Sequence, residues 1–80
     1  MPQPILYYYE GCPYCDLVRR FLKDRHITVL LKDIRKQPEA RQELIKIGGK
    51  PQVPCLVMDG KALYESANII EWLKSNEKQQ

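Results

Sequence analysis

Two cysteines, in the run Cys12-Pro13-Tyr14-Cys15, have the type and spacing to do chemistry in this chain. An apolar run, Ile5-Leu6-Tyr7-Tyr8-Tyr9, precedes them, and an amphipathic segment from Pro13 to Arg25 follows. A pair of thiols where a strand turns into a helix points to redox chemistry more than to structure. Pro13 suits the first helical position, where its missing N–H costs nothing. Cys12 then lies just before the helix. Its sulfur faces the unpaired N–H groups of the first turn and the positive end of the helix dipole, which favours the nucleophilic thiolate over the thiol. Cys15, one turn further in, is expected to be more buried and less ionised. The pair could also be half of a zinc site, but the other candidates are Cys55 and the single histidine, His26, with no matching spacing. No metal is expected.

The elements that must position these thiols fit in one small domain. Eighty residues, 44% hydrophobic and 29% charged, make a single globular domain over residues 1–80 with little spare core. No apolar run approaches the length of a membrane span, and Met1-Pro2-Gln3-Pro4 lacks the basic and apolar regions of a signal peptide. Three cysteines do not make a secreted disulfide framework, so a reducing, cytoplasmic setting is expected. The net charge of +3 weakly favours anionic ligands and is too diffuse to argue for nucleic acid. Neither a membrane nor a nucleic acid is expected as partner, and nothing demands more than a monomer.

Residues 5–9 read as a first strand, its tyrosine rings alternating between two faces of a buried sheet rather than forming a base-stacking platform. From Pro13 onward, Leu17, Val18, Phe21 and Leu22 predict the inner face of a first helix. His26 has no partner pattern and reads as a structural or surface residue. Residues 27–31 predict a second strand, parallel to the first through a right-handed crossover. Pro38 can open a second helix with Leu44, Ile45 and Ile47 as its apolar stripe, and Gly48-Gly49 stops it. After the loop Lys50-Pro51-Gln52, residues 53–58 and 61–64 form a hairpin around Asp59-Gly60. Ser66 can cap a third helix with Ile69, Ile70, Trp72 and Leu73 facing inward, and residues 75–80 read as a polar tail. Cys55 reads as a small buried hydrophobe on its strand.

The predicted order is therefore β-α-β-α-β-β-α. If the third strand pairs antiparallel beside the first, three points fall on one edge of the sheet: Cys12, Val53-Pro54 and Glu65-Ser66. Two helix N-termini, at Pro13 and Ala67, point at the same edge, giving a groove with a nucleophilic sulfur, free main-chain groups and an anion site.

With these residues in place, the chain resembles a glutaredoxin over residues 4–74. Cys12-Pro13-Tyr14-Cys15 matches the dithiol glutaredoxin motif letter for letter, and Gln52-Val53-Pro54 matches the loop carrying a cis-proline in the thioredoxin fold. The resemblance implies an α/β, thioredoxin-like fold, a four-stranded mixed sheet flanked by three helices. It implies a glutathione-dependent thiol–disulfide oxidoreductase, with glutathione as co-substrate and disulfide-containing or glutathionylated proteins as partners. Cys12 would be the nucleophile and Cys15 the resolving thiol, with Pro13 shaping the helix start. Tyr14, Gln52, Val53, Pro54, Glu65 and Ser66 would bind glutathione. Val53 would pair main chain to main chain with the cysteinyl unit. Ser66 and the helix end would hold the γ-glutamyl carboxylate, and Glu65 its ammonium.

Two departures qualify the match. Tyr64-Glu65-Ser66-Ala67-Asn68 replaces a Gly-Gly-Cys-Asp-Asp-like run and resembles instead the Glu/Gln-Ser pair of glutathione transferase N-terminal domains. Tyr9 stands where many glutaredoxins carry a lysine, which leaves Lys50, Gln52 or Arg41 for the glycyl carboxylate. The alternatives are a carrier module holding glutathione or a 2Fe–2S cluster between two copies, and a detached transferase N-terminal domain.

Overall fold

Branched and aromatic side chains suit a half-buried pleated surface. In the computed structural model, which describes residues 3–76, Ile5-Leu6-Tyr7-Tyr8 forms the first strand, β1 (Ile5–Tyr8). It leads into α1 (Pro13–Asp24), followed by β2 (Leu30–Asp33), α2 (Pro38–Gly48), the hairpin strands β3 (Cys55–Met58) and β4 (Lys61–Tyr64), and α3 (Ser66–Asn76). The sheet order is β2-β1-β3-β4. β1 and β2 are parallel, with Ile5 opposite Leu30 and Tyr8 opposite Asp33. β3 lies antiparallel to β1, with Tyr7 opposite Cys55, and antiparallel to β4, with Cys55 opposite Tyr64. This is the expected thioredoxin-like α/β fold, a four-stranded mixed sheet with three helices.

Strand alternation sorts the core into two layers. Leu6 and Leu56 face α1 and α3, where they pack with Val18, Leu22, Ile69 and Leu73. Tyr7, Cys55 and Val57 face α2, with Ile34, Ala40 and Leu44. The tyrosine run alternates as expected: Tyr7 is buried and Tyr9 packs on its layer, while Tyr8 lies on the other face under the Arg19 guanidinium, 4.6 Å from the ring centre. Cys55 is fully buried on its strand, and Trp72 is a half-buried member of the α1–α3 layer.

Several boundaries differ from the sequence reading. The second strand is Leu30–Asp33 and not residues 27–31. The N–H groups of His26 and Ile27 still bond back to Lys23 and Leu22 at the end of α1, so pairing with β1 begins only where Leu30 N–H donates to the Pro4 carbonyl, at 3.0 Å. Polar Lys32 and Asp33 belong to the strand because both find partners. Lys32 Nζ lies 2.7 Å from Glu43 Oε1 on α2, and the Asp33 carboxylate accepts the N–H groups of Arg35 and Lys36 at 2.8 and 3.1 Å. Leu30 and Leu31 are half exposed because β2 is an edge strand. Leu17 is also half exposed, since the buried row of α1 is Cys15, Val18 and Leu22. Ile47 is exposed for the same kind of reason, as α2 buries Ala40 and Leu44.

The first and third strands are shorter than expected, ending at Tyr8 and starting at Cys55. α3 starts at Ser66 itself: the Glu65 carbonyl accepts the Ile69 N–H at 3.0 Å, so Glu65 holds the capping position assigned to Ser66. α3 also continues through Ser75 and Asn76, and the rest of the expected tail lies outside the described residues. His26 is exposed. Among the described residues, no helix is long and apolar enough to cross a membrane.

Candidate functional site

A helix leaves its first N–H groups without partners, and a side chain just before it can accept one of them. Cys12 does so with sulfur. It has extended backbone angles, φ −86° and ψ 115°, and its Sγ accepts the Cys15 N–H at 3.4 Å. Its carbonyl accepts the Asp16 N–H at 2.9 Å, and Pro13 opens the helix. Negative charge on Cys12 Sγ would therefore face an N–H donor and the positive end of α1. Cys12 is 5% exposed, and Cys15 is fully buried beneath it.

The two thiols are free, and their surroundings differ. Burial pushes the Cys15 thiol up to about 12, and its hydrogen bond with Cys12 adds to the shift, while a hydrogen bond with the Tyr9 backbone opposes it. At neutral pH Cys15 is thus a protonated reserve thiol behind Cys12.

The loop between α2 and β3 brings Gln52, Val53 and Pro54 to the same edge of the sheet. Gly49, in the left-handed conformation (φ 87°), ends α2 and turns the chain into this loop. The Val53-Pro54 peptide bond is cis, as the resemblance implies. Glu65 follows β4 with φ 72°, a left-handed conformation that favours glycine. That turn starts α3 and brings the Glu65 carboxylate toward the loop, where Gln52 Nε2 lies 3.5 Å from Glu65 Oε1.

These residues enclose a cavity of about 440 Å³ lined by Tyr14, Gln52, Val53, Pro54, Glu65, Ser66 and Ala67. All six side chains expected from the sequence to bind glutathione lie on it, and Tyr14 brings its wall within two residues of Cys12. Ala67 joins them because it belongs to the first turn of α3, whose N-terminus points into the cavity. Of the three residues considered for the glycyl carboxylate, Gln52 is on the lining and Lys50 and Arg41 are not. Where a lysine is common, Tyr9 instead carries the Arg35 guanidinium stacked 3.9 Å above its ring. A larger cavity, about 640 Å³, lies between α1 and β2 and contains no cysteine.

Tyr64, to which the sequence reading gave no role of its own, also shapes this edge, together with Lys50. Tyr64 O–H donates to the Lys50 carbonyl at 3.1 Å, and the Lys50 ammonium lies 4.7 Å from the Tyr64 ring centre. Neither sequence spacing nor residue type announces this pair. Among the described residues, no three His, Cys, Asp or Glu side chains gather as a metal site.

Comparison with known proteins agrees with the fold. The family model described as "Glutathione S-transferase, N-terminal domain" matches residues 6–80. No curated protein matches the sequence. Among solved structures, the thioredoxin-like protein BC3987 is 27% identical, with a TM-score of 0.77 over 91% of this chain and 97% of that one. Glutathione transferase Omega 3C from Trametes versicolor is 26% identical, with a TM-score of 0.83, and covers 99% of this chain and 35% of its own. Glutaredoxin C1 from Populus tremula x tremuloides shares the fold, with a TM-score of 0.72 over 98% of this chain and 80% of that one at 18% identity. This chain thus spans about a third of that transferase and most of the other two.

Proposed function

The chain belongs to the family of glutathione S-transferase N-terminal domains, and from that premise we propose that it is a glutathione-dependent thiol–disulfide oxidoreductase of the dithiol glutaredoxin type. One observation carries the reading: a sulfur nucleophile at a helix cap, with a buried second thiol behind it, beside a cavity lined by Tyr14, Gln52, Val53, Pro54, Glu65 and Ser66. A transferase domain that only activates glutathione has no use for the second thiol.

On a glutathionylated substrate, the Cys12 thiolate attacks the glutathione sulfur of the mixed disulfide. The Cys12–glutathione bond forms, the substrate–sulfur bond breaks, and the substrate thiolate takes up a proton. The thiolate of a second glutathione then attacks the bound glutathionyl sulfur. Glutathione disulfide leaves, and Cys12 returns as thiolate. Only the attacking glutathione is oxidised, since the bound glutathionyl sulfur is already at the disulfide level and one disulfide is exchanged for another. On a protein disulfide, Cys12 first forms a mixed disulfide with the substrate. Cys15 loses its proton and attacks Cys12 Sγ, which releases the reduced substrate and leaves a Cys12–Cys15 disulfide for two glutathiones to reduce. Thiol–disulfide exchange proceeds by in-line attack of a thiolate on a disulfide sulfur with departure of a thiol, and both routes follow that pattern.

The cavity supports glutathione as the co-substrate in chemical terms. The start of α3 and the Ser66 hydroxyl suit the γ-glutamyl carboxylate, and Glu65 suits its ammonium. Val53, beside the cis bond, offers main-chain groups to the cysteinyl unit, and Gln52 offers an amide to the glycyl end. A glutathione titration followed by NMR tests the reading. Saturable shifts at Cys12, Tyr14, Val53, Glu65 and Ser66 are expected; no shifts, or shifts centred on the cavity between α1 and β2, would sink it.

A further inference from the structure

We infer that Tyr64 is a positioning residue, whose hydroxyl ties down the loop carrying Gln52, Val53 and Pro54 and so holds one wall of the cleft ready for glutathione. The inference rests on the glutathione reading above. Four observations around this one side chain support it. The Tyr64 O–H donates to the Lys50 carbonyl near the start of the loop, at 3.1 Å. Cys55 lies directly cross-strand from Tyr64 and fills the space beside it on the same face of the sheet. Lys50 folds its ammonium back over the Tyr64 ring. A Cβ added to Gly48, the last residue of α2, would fall on the Tyr64 hydroxyl and within 3.2 Å of the Ala62 Cβ. Gly48 is thus small because the hydroxyl occupies the space a side chain would need.

The next residue completes the tie. Neighbouring strand residues point to opposite faces. Tyr64 reaches toward α2 and Lys50, and Glu65, in its left-handed conformation, reaches into the cavity toward Gln52. The loop is thus held to the end of β4 at Lys50 and at Gln52, with Pro51, whose φ is fixed, between them. A loop fixed before the ligand arrives does not have to be ordered on binding, and affinity gains by the cost avoided. The Cys12 sulfur, by contrast, depends on the start of α1, which Tyr64 does not touch.

Tyr64→Phe in the full chain tests this. Backbone 15N order parameters in the free protein should fall at Lys50, Gln52 and Val53 and stay unchanged at β1 and β3. Glutathione affinity should weaken about fivefold, the loss of one ordinary hydrogen bond. The rate of Cys12 alkylation by iodoacetamide should not change. Gly48→Ala should also weaken affinity, because the added Cβ meets the Tyr64 hydroxyl and the ring carbon that bears it. Unchanged order parameters at the three loop amides in Tyr64→Phe would overturn the inference. So would loss of loop order, alkylation rate and thermal stability together, which would make Tyr64 a general structural residue. The order-parameter and alkylation measurements use no glutathione. If the unaltered protein fails to bind glutathione, the reading of the cleft falls, and those two measurements still decide whether Tyr64 holds the loop.

Discussion

Three residues along α1 take a thiol from the helix cap to the core. Cys12 accepts an N–H from the first turn, and Cys15 meets only packed side chains and one backbone group. The nucleophile and its reserve are set apart by position on the helix and not by residue type. Iodoacetamide at neutral pH should therefore label Cys12 and leave Cys15 and Cys55 unlabelled, as read by mass spectrometry of the native protein; comparable labelling of Cys15 would contradict its burial. This division was legible in the sequence, because the fold puts Pro13 at the first helical position and fixes both sulfurs relative to it. Glu65 and Ser66 were legible as residue types but were placed one position out: the left-handed Glu65 takes the cap, and Ser66 opens the helix. The contact between Tyr64 and Gly48 gave no signal, since a hydroxyl filling the space of an absent side chain leaves no pattern in spacing or composition.

At the scale of elements, the boundaries depended on partners the sequence does not show. Lys32 and Asp33 look like the polar end of a strand, and they continue it because Glu43 and the turn after Asp33 satisfy them. Burial alone would raise the Asp33 carboxyl. The N–H groups of Arg35, Lys36 and Glu10 together outweigh burial and hold it below its ordinary 3.8. A carboxyl lowered on folding contributes stability that is present above its unfolded pKa and is lost as the pH falls through the folded one. Asp33→Ala should cost about 1 kcal/mol by removing two part-buried hydrogen bonds, read from the denaturant midpoint at neutral pH, and the gap from the unaltered protein should narrow in acid. An equal midpoint at neutral pH would show that water replaces the carboxylate. The inner row of α1 was misjudged at Leu17 for a related reason. Cys15 is small enough to take the inner position, so the helix turns Leu17 outward.

For the molecule as a whole, connectivity and one assumed pairing, the third strand beside the first, were enough. A crossover helix between β1 and β2, a hairpin at Asp59-Gly60 and a short sheet leave few ways to pair four strands, and the order β2-β1-β3-β4 brings Cys12, the cis-proline loop and Glu65-Ser66 to one edge. The same burial that builds this core makes it sensitive to base. Burial raises Cys15 and Tyr7 to about 12, with Glu43 reinforcing the shift at Tyr7, and raises Cys55 and Tyr64 above their ordinary values of 9.0 and 10.0. Each acid titrates more easily in the unfolded chain. Its contribution is whole below the unfolded pKa and is lost as the pH rises toward the folded one. Thermal stability should thus fall steadily from about pH 9 upward, and Cys15→Ala should flatten the fall; a flat profile across that range would contradict the burial of these groups.

The central claim is that one sulfur carries out glutathione exchange and the other serves only protein disulfides. The most direct measurement is turnover of a glutathionylated peptide, with glutathione as reductant, by Cys12→Ser and Cys15→Ser. The account predicts no turnover for Cys12→Ser and most of the original rate for Cys15→Ser, because the glutathionyl route never uses the second thiol. Equal loss in both variants would contradict it and point to a dithiol enzyme that does not use glutathione.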